Sequence, residues 1–438
     1  MILPELFENR MNSMLCTEYE DFKEALSMEA PVSIRLNLQK TSVAAKLETV
    51  PWCDTGFYLE KRPLFTMDPL FHAGCYYVQE ASSMFLEQAV KQHLRTENPL
   101  VLDLCAAPGG KSTHLAALLA SLLNGKGLLV SNEIIRSRAW ILAENLTKWG
   151  APNVVVTNND PKDFAAFNGL FDMIVIDVPC SGEGMFRKDP VALKEWSVHH
   201  VRLCAERQKR IVADSWPALN PGGLLIYSTC TYNREENEEI IAWICRELGA
   251  EPLEAPRRFL PHQTKGEGFC IAAVRKTGAQ SANRKFDCKT TKAGSGRAFA
   301  DRKNHLLHPE QFAIFPEQNR LLAIPEIHTA YYAYLNKQLK IISAGIVLGE
   351  PKGRDFIPAP ELALSTDLAA DTFPNWEVDK ATALRYLRKE ALQEIPTALH
   401  RGYLLIRYCQ HPLGFVKNIG TRANNLYPHN WRIRVLST

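Results

Sequence analysis

From residue 100 to residue 274 the chain repeats one unit: a short run of Val, Ile and Leu, a helical pattern, then another short run. Few folds accept that repeat. Runs that are apolar on both faces need a sheet covered on both sides, and strands joined through helices run parallel, so a doubly wound α/β sheet is expected. The strand runs are 100–104, 127–132, 153–157, 171–177 and 224–228. Helices fall at 112–123, on a face made by Ile135, Ala139, Leu142, Leu146 and Trp149, and before Asn220-Pro-Gly-Gly223. Asn233, with Glu236 three residues on, predicts the N-cap of a further helix. Residues 266–274 are expected to close the sheet as an edge strand.

The 438 residues exceed one ordinary domain, so two or three are expected. A helical pattern to Leu26 and a strand-like run at 32–38 form a mixed lead-in. Residues 278–296, rich in Gly, Ser, Lys and Thr, read as a disordered linker. Beyond it lie an apolar unit at 312–348 and a third unit with strand-like runs at 402–408, 414–417 and 431–436. Charge is uneven along the chain. The formal total is +3, yet residues 255–304 hold twelve Lys and Arg against three acids, a net of +9, leaving −6 for the rest. Such a stretch either tracks phosphates or is a solvated linker. The longest nearly apolar helical stretch, 115–123, is far short of the ~20 residues of a membrane span. Glu5 and Glu8 stand where a secretion signal would be basic and then apolar, so neither a membrane nor a secreted protein is expected. Eleven cysteines without a CxxC pair read as reduced cytosolic thiols, with neither a zinc pattern nor a disulfide framework.

Ligands of doubly wound sheets bind at the carboxyl ends of the strands. The first loop there reads Asp103-Leu-Cys-Ala-Ala-Pro-Gly-Gly-Lys-Ser112. A P-loop needs a glycine where Cys105 stands, and the spacing G-x-G-x-x-G of dinucleotide turns is absent. What remains suits a nucleoside or amino-acid ligand without pyrophosphate, and S-adenosylmethionine is one. Glu133 ends the second strand, where a carboxylate accepts both ribose hydroxyls, and Asp160 follows the third at the height of an adenine amino group. A lone acid at a strand end is usually a helix cap. Three features in order on successive strands are more specific.

The next two strands end in Asp177-Val-Pro-Cys180 and Ser228-Thr-Cys230. A single cysteine is most often a small buried hydrophobe. A pair at neighbouring strand ends, one preceded by a carboxylate and a proline, suits methylation of cytosine. Carbon 5 of that base is a poor nucleophile; a thiolate adding to carbon 6 turns the ring into an enamine that is reactive at carbon 5. A base must then remove the carbon 5 proton so that the thiolate leaves. Residue chemistry leaves open which cysteine attacks.

Cys105-Ala-Ala-Pro-Gly-Gly-Lys111, Ser131-Asn-Glu133, Asp177-Val-Pro-Cys-Ser-Gly-Glu-Gly-Met-Phe-Arg-Lys-Asp-Pro190 and Tyr227-Ser-Thr-Cys-Thr-Tyr-Asn-Arg-Glu-Glu-Asn237 together resemble the Sun-type family of RNA cytosine-5 methyltransferases. Tyr76-Tyr-Val-Gln-Glu80 and Asn424-Asn-Leu-Tyr-Pro-His-Asn-Trp-Arg432 extend the likeness over nearly the whole chain. The resemblance implies a small N-terminal domain at 1–70, a Rossmann-like class I methyltransferase sheet at 71–277, a basic linker at 278–303, a middle domain at 304–375 and a PUA-like RNA-binding region at 376–438. It implies S-adenosylmethionine as cofactor, held by Cys105, Ala106, Ala107, Pro108, Gly109, Gly110, Lys111, Glu133, Asp160 and Asp177. It assigns the nucleophile to Cys230 and product release to Cys180, and gives Asp177 a hydrogen bond to the protonated ring nitrogen 3 that favours cytosine over uracil. The implied partner is RNA, either 16S rRNA or the small ribosomal subunit, and the protein is expected to be a cytoplasmic monomer without a metal.

One departure from the family is the insertion-like stretch 120–126, which lengthens the first helix. In the last unit Tyr403, Tyr408, Phe415, Tyr427 and Trp431 are interleaved with Arg401, Arg407, Lys417, Arg422, Arg432 and Arg434. Alternating strand faces are expected to bury the first set and present the second to phosphates. Two other readings compete: a catalytically idle RNA-binding assembly factor, which has no need of Cys180 and Cys230, and a degenerate P-loop NTPase, which Cys105 disfavours.

Overall fold

Apolar residues at helical spacing fold the start of the chain into α1 (Glu5–Leu15) and α2 (Tyr19–Ser27), burying Phe7, Met11, Phe22 and Leu26. The computed structural model describes residues 2–42, 47–278, 301–353 and 355–434. Strands β1 (Val32–Leu36), β2 (Thr49–Val50), β3 (Cys53–Leu59) and β4 (Tyr76–Val78) form a small antiparallel sheet in the order β2-β3-β1-β4. The short helix α3 (Pro69–His72) precedes β4. Buried contacts tie this lead-in to the first helices of the central domain. Arg35 of β1 is fully buried, donates to Gln79 Oε1 at 2.8 Å and Thr113 Oγ1 at 2.6 Å, and lies 4.5 Å from the Trp149 ring.

The central sheet is built from β5 (Leu100–Asp103), β6 (Leu128–Asn132), β7 (Val154–Thr157), β8 (Phe171–Asp177), β9 (Leu219–Thr229), β10 (Ala250–Pro252), β11 (Arg257–Phe259) and β12 (Phe269–Lys276). Between and before these strands run α4 (Leu86–His93), α5 (Gly110–Leu123), α6 (Arg136–Trp149), α7 (Pro190–Glu195), α8 (Val198–Ser215) and α9 (Glu238–Leu248). The strand order β7-β6-β5-β8-β9 is parallel throughout, with its reversal at β5 and β8, and β12 continues it antiparallel to β9. Alternate strand residues face opposite layers, as a pleat requires. Leu102, Val130, Ile174, Ile176, Leu225 and Tyr227 pack with Ile211 and Val212 of α8 and Ile240 and Ile244 of α9. Val101, Leu129, Met173, Val175, Leu224 and Ile226 pack with Val90 of α4, Leu115 and Leu119 of α5, and Leu142 and Leu146 of α6. The sheet is thus covered on both faces.

Farther along come β13 (Phe312–Glu317), β14 (Arg320–Pro325), β15 (Ile341–Ala344), β16 (Ile346–Lys352) and β17 (Asp355–Pro358). Four of them make their own sheet in the order β13-β14-β16-β17, but β15 leaves it and pairs antiparallel with β7 at the edge of the central sheet. Phe315, Leu322, Tyr332 and Leu335 join the core on one face of that sheet. A last sheet, β18 (Asn375–Glu377), β19 (Gly402–Tyr408), β20 (His411–Asn418) and β21 (Ala423–Asn425), packs through Trp376 and Leu404, together with Tyr386 of the helix Lys380–Leu387, against Ala73 and Cys75 near α3.

Several expectations are corrected. Asn220-Pro-Gly-Gly223 does not precede β9 but lies inside it, where a register shift between Phe171 and Met173 of β8 and a positive φ at Gly222 accommodate the extra residues. Residues 266–274 overlap β12, which runs from Phe269 to Lys276, yet β12 is not the edge, because β10 and β11 pair on its outer side. Asn233 caps a turn and not a helix: its Oδ1 accepts the Glu236 amide at 2.9 Å, while α9 begins only after Asn237. Ile135 is half exposed and stands outside the buried face of α6. Trp431 ends a 3₁₀ turn, His429–Trp431, and residues 432–434 continue without strand pairing. The stretch 279–300, which holds most of the expected basic linker, lies outside the described residues.

Candidate active site

The carboxyl ends of the parallel strands converge on a cavity of about 430 Å³, within the roughly 300–1,000 Å³ of small-molecule sites. Its wall includes Cys105, Ala107, Glu133, Asp160, Asp177, Cys180 and Cys230, together with Arg138, Arg207 and Arg210. Ala106, Pro108, Gly109, Gly110 and Lys111 shape the loop without lining the cavity. The chain turns into α5 at Gly109 with φ +118°, a conformation that favours glycine. The loop is held by Ala106 N–H to the Asn132 carbonyl, Arg138 to the Ala107 carbonyl and Asn145 to the Pro108 carbonyl, each at 2.8 Å.

At the end of β5, Asp103 is completely buried, and burial, opposed by the Ser112 hydroxyl 2.6 Å away, pushes its carboxyl up to about 7. Its other oxygen has no hydrogen-bond partner among the described residues. Glu133, also buried, accepts the Ile135 amide at 2.8 Å, and its second oxygen is 3.5 Å from Arg138. Asp160 both lines the cavity and caps the 3₁₀ turn Pro161–Phe167, accepting the Lys162 amide while Asp163 reaches back to the Asp160 amide. Asp177 is oriented on two sides: the Ser228 hydroxyl donates to one oxygen at 2.7 Å and Lys111 Nζ meets the other at 2.8 Å.

Beyond Asp177 the loops after β8 and β9 bring Cys180 Sγ to 3.2 Å from Cys230 Sγ. The hydrogen bond with Cys230, and then burial, raise the Cys180 thiol well above its ordinary value. Two buried carboxylates lace the loops to each other. Glu183, from the Cys180 loop, accepts Thr231 Oγ1 at 2.6 Å, the amides of Tyr232 and Asn233 at 2.8 and 2.9 Å, and the Trp196 indole at 2.9 Å. Glu236, from the Cys230 side, accepts the Ser181 amide and hydroxyl, Gln208 at 2.7 Å and Asn233 at 2.7 Å. Burial raises the Glu236 carboxyl, and these donors oppose it. Behind them Phe7 and Phe22 of the N-terminal helices pack on Phe186, Trp196 and Tyr232.

Sequence reasoning brought Cys105, Glu133, Asp160, Asp177, Cys180 and Cys230 to one cavity. It assigned no role to Asp103, Glu183 or Gln208 and read Glu236 only as a cap. For Glu183 the available signal was an acid set among small residues, in Pro-Cys-Ser-Gly-Glu183, and such an acid is buried and must find donors. Glu236 stands among polar and charged neighbours, in Asn-Arg-Glu-Glu236-Asn-Glu, and gave no such signal.

A parallel sheet with its switch point under a glycine turn, carboxylates on successive strand ends and an unpaired buried carboxylate oxygen at the first of them define a class: the Rossmann-like, S-adenosylmethionine-dependent methyltransferases. Comparison with known proteins narrows it. The family described as 16S rRNA methyltransferase RsmB/F matches residues 92–275, the N-terminal domain of 16S rRNA methyltransferase RsmF matches 3–81, and the methyltransferase RsmF PUA domain matches 373–433. The chain is 32% identical to ribosomal RNA small subunit methyltransferase F of Pectobacterium atrosepticum, over 98% of this chain and 95% of that protein. It is likewise 32% identical to the protein of that name from Escherichia coli O81, over 97% of this chain and 95% of the other. The chain therefore belongs to the ribosomal RNA small subunit methyltransferase F family.

Among solved structures, a methyltransferase homologue from Pyrococcus horikoshii is similar with a TM-score of 0.54 and 28% identity, covering 62% of this chain and 95% of that one. NSun6 from Pyrococcus horikoshii, solved with the S-adenosylmethionine analogue SFG, shares the fold at 20% identity and a TM-score of 0.54, covering 63% of this chain and 99% of that one. Among the described residues no helix is long and apolar enough to cross a membrane.

Proposed function

We propose that this methyltransferase acts on carbon 5 of a cytosine in 16S rRNA, through a covalent bond between Cys230 and carbon 6 of the base. The observation that carries the reading is the pair of sulfurs 3.2 Å apart on the wall of the cavity that also holds Glu133, Asp160 and Asp177. When bound, the cofactor supplies an electrophilic sulfonium methyl. The loop Cys105 to Lys111 would shape the floor beneath it, Glu133 would accept its ribose hydroxyls and Asp160 would face its adenine.

The rest is done by this chain and the base. Either sulfur of the pair can donate to the other, and the attack on carbon 6 falls to Cys230 because the Thr-Cys motif carries the nucleophile in the Sun-type enzymes that the chain resembles. Asp177, aligned by Ser228 and Lys111, hydrogen-bonds the protonated nitrogen 3 and selects cytosine over uracil. After carbon 5 is methylated its proton leaves to a base, Cys230 is expelled, and Cys180 acts in that release. The PUA-like region from about residue 376 places the RNA, and the protein works as a cytoplasmic monomer. An idle RNA-binding factor would leave the buried lacing of the two thiol loops without a purpose.

The test is Cys230→Ala. The variant is expected to bind S-adenosylmethionine with unchanged affinity, because Cys230 meets the base and not the cofactor, and to lose turnover by about 10⁴-fold or more. Measurable turnover on an active rRNA substrate would remove Cys230 from the role.

A further inference from the structure

The thiol pair carries a second chemistry. Its sulfurs must approach by only about 1.2 Å to reach the ~2.04 Å of a disulfide bond. The loops that hold them are fixed by their own neighbours: Ser181 Oγ lies 3.1 Å from Thr231 Oγ1, and the Gly184 amide donates to the Cys230 carbonyl at 2.9 Å. Sulfurs held side by side react with an effective concentration that no free thiol in solution matches. Both lie on the wall of the cavity, which admits a small molecule when no base or cofactor fills it.

We propose that Cys180 and Cys230 form a reversible disulfide under attack by a hydroperoxide, making the active site an oxidation-sensitive switch. The thiolate of Cys230 attacks the O–O bond and becomes a sulfenic acid, while the departing oxygen takes a proton and leaves as alcohol or water. The Cys180 sulfur then attacks the sulfenic sulfur, its proton goes to the departing oxygen, and water leaves as the S–S bond forms. Two thiols are oxidised to one disulfide and one hydroperoxide is reduced. Cys105 lines the same cavity, but among the described residues no second thiol is hydrogen-bonded to it, so it has no partner with which to link. While linked, Cys230 cannot attack a base; a dithiol restores both sulfurs.

The test treats the full-length protein with hydrogen peroxide, removes the peroxide, unfolds the protein in denaturant containing N-ethylmaleimide to block every remaining thiol, and maps tryptic peptides without reduction. The expected product is a linked pair of peptides carrying Cys180 and Cys230, lighter than their sum by two hydrogens, with Cys105 recovered alkylated. Dithiothreitol should separate them. In Cys180→Ser the link cannot form, and peroxide should instead carry Cys230 to sulfinic acid, which dithiothreitol does not reverse. Recovery of Cys180 and Cys230 unlinked in the unaltered protein, whether alkylated or separately oxidised, overturns the proposal. Turnover, measured in parallel, should fall with the linked fraction and return on reduction. That arm rests on the proposed methyl transfer: a link that forms without loss of turnover would contradict Cys230 as nucleophile and sink the switch, while the mass evidence for the link would stand.

Discussion

The loops that carry Cys180 and Cys230 and the sheet β18–β21 both concentrate polar residues, and they do so in opposite ways. Around the thiols the polar groups are buried and mutually satisfied: Glu183 and Glu236 each accept several donors and reach across to the other loop. In the last sheet the charges sit outside. Arg401, Arg422 and Arg434 are exposed, Lys417 pairs with Asp355, and Arg432 bonds to His429. Bond-making needs atoms held to fractions of an ångström, so the thiol loops are fixed by an interior network. Phosphate recognition, the part proposed for this region, tolerates mobile, distributed charge, which can stay in solvent.

The first way to break that contrast is to remove one lace. Glu236→Ala takes the acceptor from the buried Ser181 amide and one of two or more acceptors from Gln208 and Asn233, which keep the Pro179 carbonyl and Thr231 Oγ1, and should cost roughly 3 kcal/mol of stability. Turnover should fall by about 10²-fold or more, because both sulfurs lose their support. Denaturant unfolding and single-turnover assays at a temperature where the variant is folded check the two effects. An unchanged rate would mean that the lacing is structural only.

A second prediction concerns acid. Burial, helped by the charge of Arg35, drives His114 down to about 4 despite its hydrogen bond with Glu87, so the folded protein keeps it neutral where the unfolded chain binds a proton. A depressed histidine gives stability that is complete above its unfolded value near 6.5 and is lost as pH falls towards 4. His114→Gln should flatten the pH dependence of unfolding free energy in that window by about 3 kcal/mol. An identical slope in both proteins would show that His114 does not govern it.

The smallest effects belong to the surface. Arg401→Ala, Arg422→Ala and Arg434→Ala are each expected to raise KM for rRNA severalfold, leave kcat and S-adenosylmethionine affinity unchanged, and lower the salt slope of RNA binding by about one. Equal slopes in variant and parent would mean that these side chains do not meet phosphates. Point variants are the right tool. A chain cut near Gly278 would also strip β15 from β7 and remove Phe315, Leu322 and Leu335 from the core.

The legible parts were those whose signal is local. Residues 171–177 form β8 with the bounds expected from the apolar run Met173–Ile176 and its flanks, and the loops after β8 and β9 carry the two cysteines to one cavity. What stayed hidden depends on distant partners. Ile341–Ala344 is short and only partly buried, and becomes a strand because β7 offers it an edge. Asn233 and Glu236 make the local bond of a helix cap, but the Glu236 carboxylate turns to Ser181 and Gln208 and the helix starts later. In the last sheet the expected alternation fails, because the sheet is covered on both faces: Leu404 and Ile406 enter one core and Leu405 and Phe415 another, while Tyr403 and Tyr408 are only partly buried, Tyr403 lying 5.0 Å under Lys417 on the neighbouring strand.

The central claim is that Cys230 bonds the base and Cys180 releases it, and one gel tests it most directly. Cys180→Ala protein, incubated with S-adenosylmethionine and labelled 16S rRNA or small subunits, is run under denaturing conditions without prior nuclease. The account predicts a slower band that carries label, disappears on nuclease treatment and is absent when Cys230 is also replaced by alanine. No such band, with methyl transfer slowed all the same, would place Cys180 before the covalent step and contradict the division of labour between the two thiols.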